Sequence, residues 1–76
     1  MANNVPEEYK EQVEMVGSKI RKRRLAKGWS AAQLADKAGY TEGYILYIEN
    51  AQRIPSLKTL IDIAKAFEIK LQTLLR

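Results

Sequence analysis

The chain has 76 residues, 13 Lys and Arg against nine Asp and Glu, a net charge of +4, and neither Cys nor His. Without Cys there is no disulfide and no thiolate metal site, and without His the usual general base and the commonest metal ligand are gone. No acidic cluster resembles a metal loop or a catalytic pair, so no enzyme, no metal and no cofactor is expected.

The opening, MANNVPEEYK, has no apolar core of signal-peptide type. No run of about 18 apolar residues follows anywhere, so the expectation is a cytoplasmic chain without a membrane partner. Pro6 suits the first turn of a helix, where its missing N–H costs nothing. Glu7 and Glu8 then sit at the positive end of the helix dipole. Tyr9, Val13, Val16 and Ile20 form one stripe at spacings of four, three and four. Gly17 is a weak point that can break or bend this helix. The helical pattern runs on through SKIRKRRLAK and stops at Gly28.

Charge changes sign along this stretch. Residues 1–18 carry Glu7, Glu8, Glu11 and Glu14 against Lys10, whereas 19–27 carry Lys19, Arg21, Lys22, Arg23, Arg24 and Lys27 with no acid. A basic block of this density suits a polyanion partner or, alternatively, a solvated helix face.

SAAQ, residues 30–33, reads as a capping box that opens a second helix, AAQLADKA, ending at Gly39. Thr41 caps a third, EGYILYIEN, and Ser56 caps a fourth, whose predicted buried stripe is Leu57, Leu60, Ile61, Ala64 and Phe67. A short last helix covers about Leu71 to Leu75. Gly and Pro are few and serve mostly as punctuation, which favours an all-α fold. The expected architecture is a compact five-helix bundle in one domain over residues 1–76, with 1–18 as an N-terminal helical extension and 19–75 as the core.

Helices two and three, joined at Gly39–Tyr40–Thr41, meet the demands of a helix-turn-helix unit. Ala35 is small enough for a close crossing, and Gly39 tolerates positive φ in the turn. Leu34, Ala38, Tyr40, Ile45 and Ile48 have the spacing to face inward.

Residues 20–75 resemble the lambda repressor-like helix-turn-helix family, also called the Xre or Cro type. The matching pieces are IR..R...G.S, LA.KAG, YI..IEN, R.PSL.TL..IAKAF and L..LL, in order and at the usual spacing. The resemblance implies a five-helix bundle that binds double-stranded DNA as a homodimer on a pseudo-palindromic operator and controls transcription. Stand-alone members of this size include phage Cro-like repressors and restriction–modification controller proteins. A nucleoid-associated location follows, with no small-molecule effector.

Carried over by position, the resemblance puts Glu42, Gly43, Leu46 and Tyr47 towards bases. It puts Thr41, Tyr44, Asn50 and Arg53 towards phosphates, together with the helix starts at Ser30, Ala31 and Ser56. Arg23, Lys27 and Lys58 add positive charge towards the same backbone. Arg24 and Glu49 match a structural pair, and Leu71, Leu74 and Leu75 the dimer surface, although Leu71 and Leu74 could equally close the core. Three features depart from the pattern. Ala31 stands where many members have Gln. Ala51 replaces the usual Gly, which leaves Asn50 to take the left-handed cap. Lastly, the third helix carries hardly any polar base readers. Its Tyr44, Leu46 and Tyr47 suit thymine methyls or, alternatively, a protein partner, in which case the fold serves as an interaction module.

Overall fold

The computed structural model describes residues 5–76; the first four residues of the expected extension lie outside that part. A 3-10 turn at Glu7–Tyr9 opens on Pro6 and leads directly into α1 (Lys10–Ala26). α2 (Ala31–Ala38), α3 (Glu42–Glu49), α4 (Leu57–Ala66) and α5 (Leu71–Leu75) follow, with no strand among the described residues.

Short side chains fix where the helices start. Ser30 Oγ accepts from the Gln33 N–H at 3.1 Å, and Gln33 Oε1 accepts from the Ser30 N–H at 2.7 Å, which closes the capping box of α2. Thr41 and Ser56 cap α3 and α4 by accepting from the amides of Tyr44 (3.2 Å) and Thr59 (3.0 Å). The helix ends share a different device. Gly28, Gly39, Ala51 and Glu68 follow α1 to α4 with φ of 74°, 86°, 59° and 59°. After α3, Ala51 N–H reaches Ile48 O at 3.1 Å and Gln52 N–H reaches Tyr47 O at 2.8 Å. After α4, Glu68 N–H and Ile69 N–H reach Lys65 O and Ala64 O in the same way.

The left-handed residue after α3 is therefore Ala51 and not Asn50. α3 ends at Glu49, Asn50 stays on the right-handed side at φ −92°, and the reversal falls one residue later.

Ile20, Leu34, Ile45, Ile48, Ile63 and Leu74 are fully buried and centre the core, joined by Ala31, Ala35, Ala64 and Phe67. α2 packs on α3 and α4, and α1 packs on α3 and α5. Trp29 lies face to face with Phe67, ring centres 5.4 Å apart. α4 is rotated from its predicted stripe: Thr59 and Ile63 point inward, while Leu57 is 64% exposed and Ile61 also faces out. Leu60, Ala64 and Phe67 belong to both stripes, so apolar spacing left the rotation open. The Thr59 hydroxyl, 3.0 Å from Ser56 Oγ, sits on the inward side. Tyr9 leaves its stripe too and is half exposed, because it belongs to the tighter 3-10 turn.

Gly17 does not break α1, which runs unbroken from Lys10 to Ala26. It is buried, and a Cβ built on it would lie 2.4 Å from Ile48 O and 2.9 Å from Glu49 O. The missing side chain lets α1 rest directly on the last turn of α3. Beside this contact, Val5, Val13 and Ala51 form a second small apolar cluster that ties the N-terminal segment to the end of α3.

Two changes test these backbone constraints. Gly17→Ala should lose about 1–3 kcal/mol in urea denaturation, because the bulk presses on backbone that has no rotamer to change. Glu68→Gly should gain about 0.5–1 kcal/mol, since an exposed residue then adopts φ 59° without Cβ strain, less the entropy cost of glycine.

Candidate nucleic-acid interface

The third helix is held at both ends. At its C-terminal end, α1 turns Arg24 inward. Arg24 Nε donates to Glu49 Oε2 at 2.7 Å and Nη2 donates to Oε1 at 2.9 Å. Its Nη1 donates to the Trp29 carbonyl at 2.8 Å, one residue before the cap of α2. One guanidinium thus joins α1, the start of α2 and the end of α3. The pair is buried, with side-chain exposures of 9% and 1%. Hydrogen bonding to Glu49 raises the Arg24 pKa, aided by the charge of Glu49, although burial opposes the shift. Both carboxylate oxygens are spent on Arg24, so Glu49 turns no acceptor outward.

At its N-terminal end, Tyr44 OH lies 3.4 Å from Thr59 Oγ1 in the first turn of α4. The Tyr40 ring leans on the Tyr44 ring at 5.3 Å, and Tyr40 OH donates to Asp62 Oδ2 at 2.7 Å. Lys58 Nζ donates to the same oxygen at 2.8 Å. Hydrogen bonds from Lys58 and then Tyr40 hold the Asp62 carboxyl below its usual pKa, and the bond to Asp62 raises that of Lys58. The start of α2 therefore flanks one end of α3, and the start of α4 flanks the other.

Between these two anchors lies the outward face of α3. Glu42, Gly43 and Leu46 are exposed, and a Cβ on Gly43 would meet nothing within 4 Å. Tyr47 is half-buried, with the Arg53 guanidinium 4.9 Å from its ring centre. Thr41 and Asn50 stand at the two ends of α3 and are exposed, as are Arg53, Ser30, Ser56, Lys58 and Lys27. Ala31 buries its methyl group, so only its backbone amide belongs to the start of α2. Tyr44 is half-buried rather than free, packed between Tyr40 and Thr59.

Arg23 is half-buried and lines a groove with Lys19, Lys22 and Arg76 beside α5. Leu74 is 1% exposed and closes the core, so it presents no surface for a partner; Leu71 and Leu75 are half exposed.

Sequence reasoning missed Tyr40, Thr59 and Asp62 as parts of this site. Lys58 and Asp62 stand four residues apart on a helix, a spacing that could have flagged their pairing. Nothing local signals the bond from Tyr40 to Asp62, 22 positions away.

Removing one partner of the buried pair leaves an uncompensated charge. Arg24→Ala or Glu49→Ala should each lower unfolding free energy by about 3–5 kcal/mol, and the joint change Arg24→Met with Glu49→Leu should cost less than either. Chemical denaturation of the three variants reads this out.

Comparison with known proteins agrees with this geometry. A helix-turn-helix family model matches residues 20–74. The chain is 37% identical over 62 residues to the HTH-type transcriptional regulator SinR of Bacillus subtilis (strain 168), which covers 80% of this chain and 56% of that protein. The chain thus spans about half the length of the curated relatives it matches. Among solved structures, it is similar to the restriction-modification controller protein C.AhdI from Aeromonas hydrophila. That match has a TM-score of 0.82 and 31% identity, covering 84% of this chain and 97% of that one. It is also similar to SinR, a master regulator for biofilm formation, in complex with DNA. Here the TM-score is 0.74 and the identity 32%, covering 80% of this chain and 98% of that one. With the family matched over residues 20–74, the chain belongs to the lambda repressor-like, or Xre/Cro-type, helix-turn-helix family.

Proposed function

We propose that the chain is a sequence-specific, double-stranded DNA-binding regulator of transcription that acts in the cytoplasm as a homodimer on a pseudo-palindromic operator. The observation that carries this reading is the mounting of α3. Its outward face is left open, while Arg24 ties one end to the start of α2 and Tyr44 links the other to the start of α4. Helix starts offer unpaired amides and a positive dipole end, a natural seat for phosphate. With the starts of α2 and α4 on the backbone to either side, Glu42, Gly43, Leu46 and Tyr47 face the bases. The solved SinR relative is bound to DNA, which supports carrying the same use over to this chain.

Affinity in this arrangement comes mainly from phosphates and does not require a basic recognition helix. Arg53, Lys27 and the helix starts serve that purpose. Lys58 contributes through an ammonium already fixed by Asp62, which it shares with any phosphate that approaches. Specificity comes from Leu46 and Tyr47 against thymine methyls and from Glu42 accepting a hydrogen bond from a cytosine amino group. Leu71 and Leu75 supply apolar surface for a second subunit, and two half-sites about one helical turn apart then follow from two-fold symmetry. Leu46, at 39% exposure, also suits the competing use of this face as a protein-binding surface.

Binding to fragments of the source genome at about 50 mM and 200 mM salt separates the two. With about four phosphate contacts, affinity should fall about a hundredfold over that range, with a few fragments preferred at both salts. Absence of binding at the lower salt, or equal binding to all fragments, would move the function of α3 to a protein partner.

A further inference from the structure

α1 carries opposite charges at the two ends of one outer stripe. At about 100° per residue, Glu11, Met15, Ser18, Lys22 and Ala26 fall within about 80° of one another, and all five are exposed. Gly17, which rests on α3, lies about 140° away from the middle of that stripe. The stripe therefore faces away from the third helix. At its basic end, Lys19, Lys22, Arg23 and Arg76 rim a groove of about 330 Å³ floored by Ala26 and Leu74, and no acid lines it. Lys19 Nζ also donates to the Arg76 carbonyl, which joins α1 to the end of α5. At the other end stands Glu11, with Glu14 about 80° from the middle of the stripe and Glu8 in the 3-10 turn before α1, all three exposed. Neither Glu11 nor Lys22 has an ion-pair partner among the described residues.

We propose that this stripe is where a second copy of the chain docks, with the two α1 helices antiparallel. A two-fold axis midway between Met15 and Ser18 sets Glu11 against Lys22 of the partner subunit, and the reverse pair repeats on the other side. The exposed Met15 side chains meet near the axis, where Ser18 is small enough to leave them room. Each acidic end then faces the cationic groove of the other copy. A two-fold interface must be complementary to itself, and a stripe acidic at one end and basic at the other meets that demand only when antiparallel. Parallel packing sets like charges together. The groove reaches the end of α5 at Leu74 and Arg76, the chain neighbours of Leu75. The inference rests on the homodimer part of the proposed function and not on DNA binding.

The test is sedimentation equilibrium of the full chain without DNA, at low and high salt. Glu11→Lys alone and Lys22→Glu alone should each weaken association about tenfold or more, because each reversal places like charges together twice per dimer. The combined Glu11→Lys, Lys22→Glu chain should recover it, and added salt should weaken the wild-type dimer. Met15→Lys, which brings two cations to the axis, gives an independent disruption should either reversal fail to fold. Single reversals that leave the dimer intact, or a double change that does not restore it, would overturn the stripe as the interface and leave association through Leu71 and Leu75 standing. A chain that stays monomeric at about 100 μM would remove the homodimer itself, without touching the salt-dependent DNA test.

Discussion

One guanidinium organises this fold. Arg24 is charged and buried, which is tolerable only because each of its three nitrogens donates a hydrogen bond, two to Glu49 and one to the Trp29 carbonyl. That requirement fixes three elements at once: the rotation of α1, the entry into α2 and the last turn of α3. The orientation of the candidate recognition surface therefore depends on a charge that faces away from it. Gly17 enforces the same joint by another route, since α1 can lie on the carbonyls of α3 only where α1 has no side chain. One constraint is electrostatic and directional, the other steric, and both meet at Ile48–Glu49.

The other end of α3 is held more softly. Tyr40, Tyr44, Thr59 and Asp62 form a partly buried polar network in which the Tyr44–Thr59 contact is long, at 3.4 Å. Asp62 takes two donors, one of them the exposed Lys58. Such a contact gives way under load before a buried bidentate ion pair does. The candidate reading face is thus firm where it ends and more yielding where it begins, next to Glu42 and Gly43.

Much of this was legible in the chain because it rests on local chemistry. Capping side chains set the starts of α2, α3 and α4, and Gly28 and Gly39 set two of the ends, each by a rule that involves only near neighbours. Less legible was whatever depends on rotation or distant packing. Leu57 and Ile61 fit an apolar stripe as well as Ile63 does, and only the surroundings of Thr59 choose between them. Gly17 looks like a defect in a helix until the carbonyls of α3 are brought against it. Ala51 shows no local sign of φ 59°; closure after Glu49 imposes it, and Val5 and Val13 cover the result. At the candidate site, the positions of exposed residues followed from the family pattern. Which of them are already engaged was only partly legible: the spacing of Lys58 and Asp62 on one helix hints at their pair, whereas the contact of Tyr47 with Arg53 followed from the tertiary structure.

The stack of Trp29 on Phe67 has an optical consequence. Trp29 is the only tryptophan of the chain, and the carbonyl of that same residue is held by Arg24. Lys27 and Lys37 stand over its ring at 5.8 and 4.8 Å, so the indole is set in a fixed field between an aromatic plane and two ammonium groups. Its emission is accordingly a gauge of the joint between α1, α2 and α4. Opening that joint frees the ring to water and shifts the spectrum to the red, whereas events confined to the outward face of α3 leave the colour of the fluorescence unchanged.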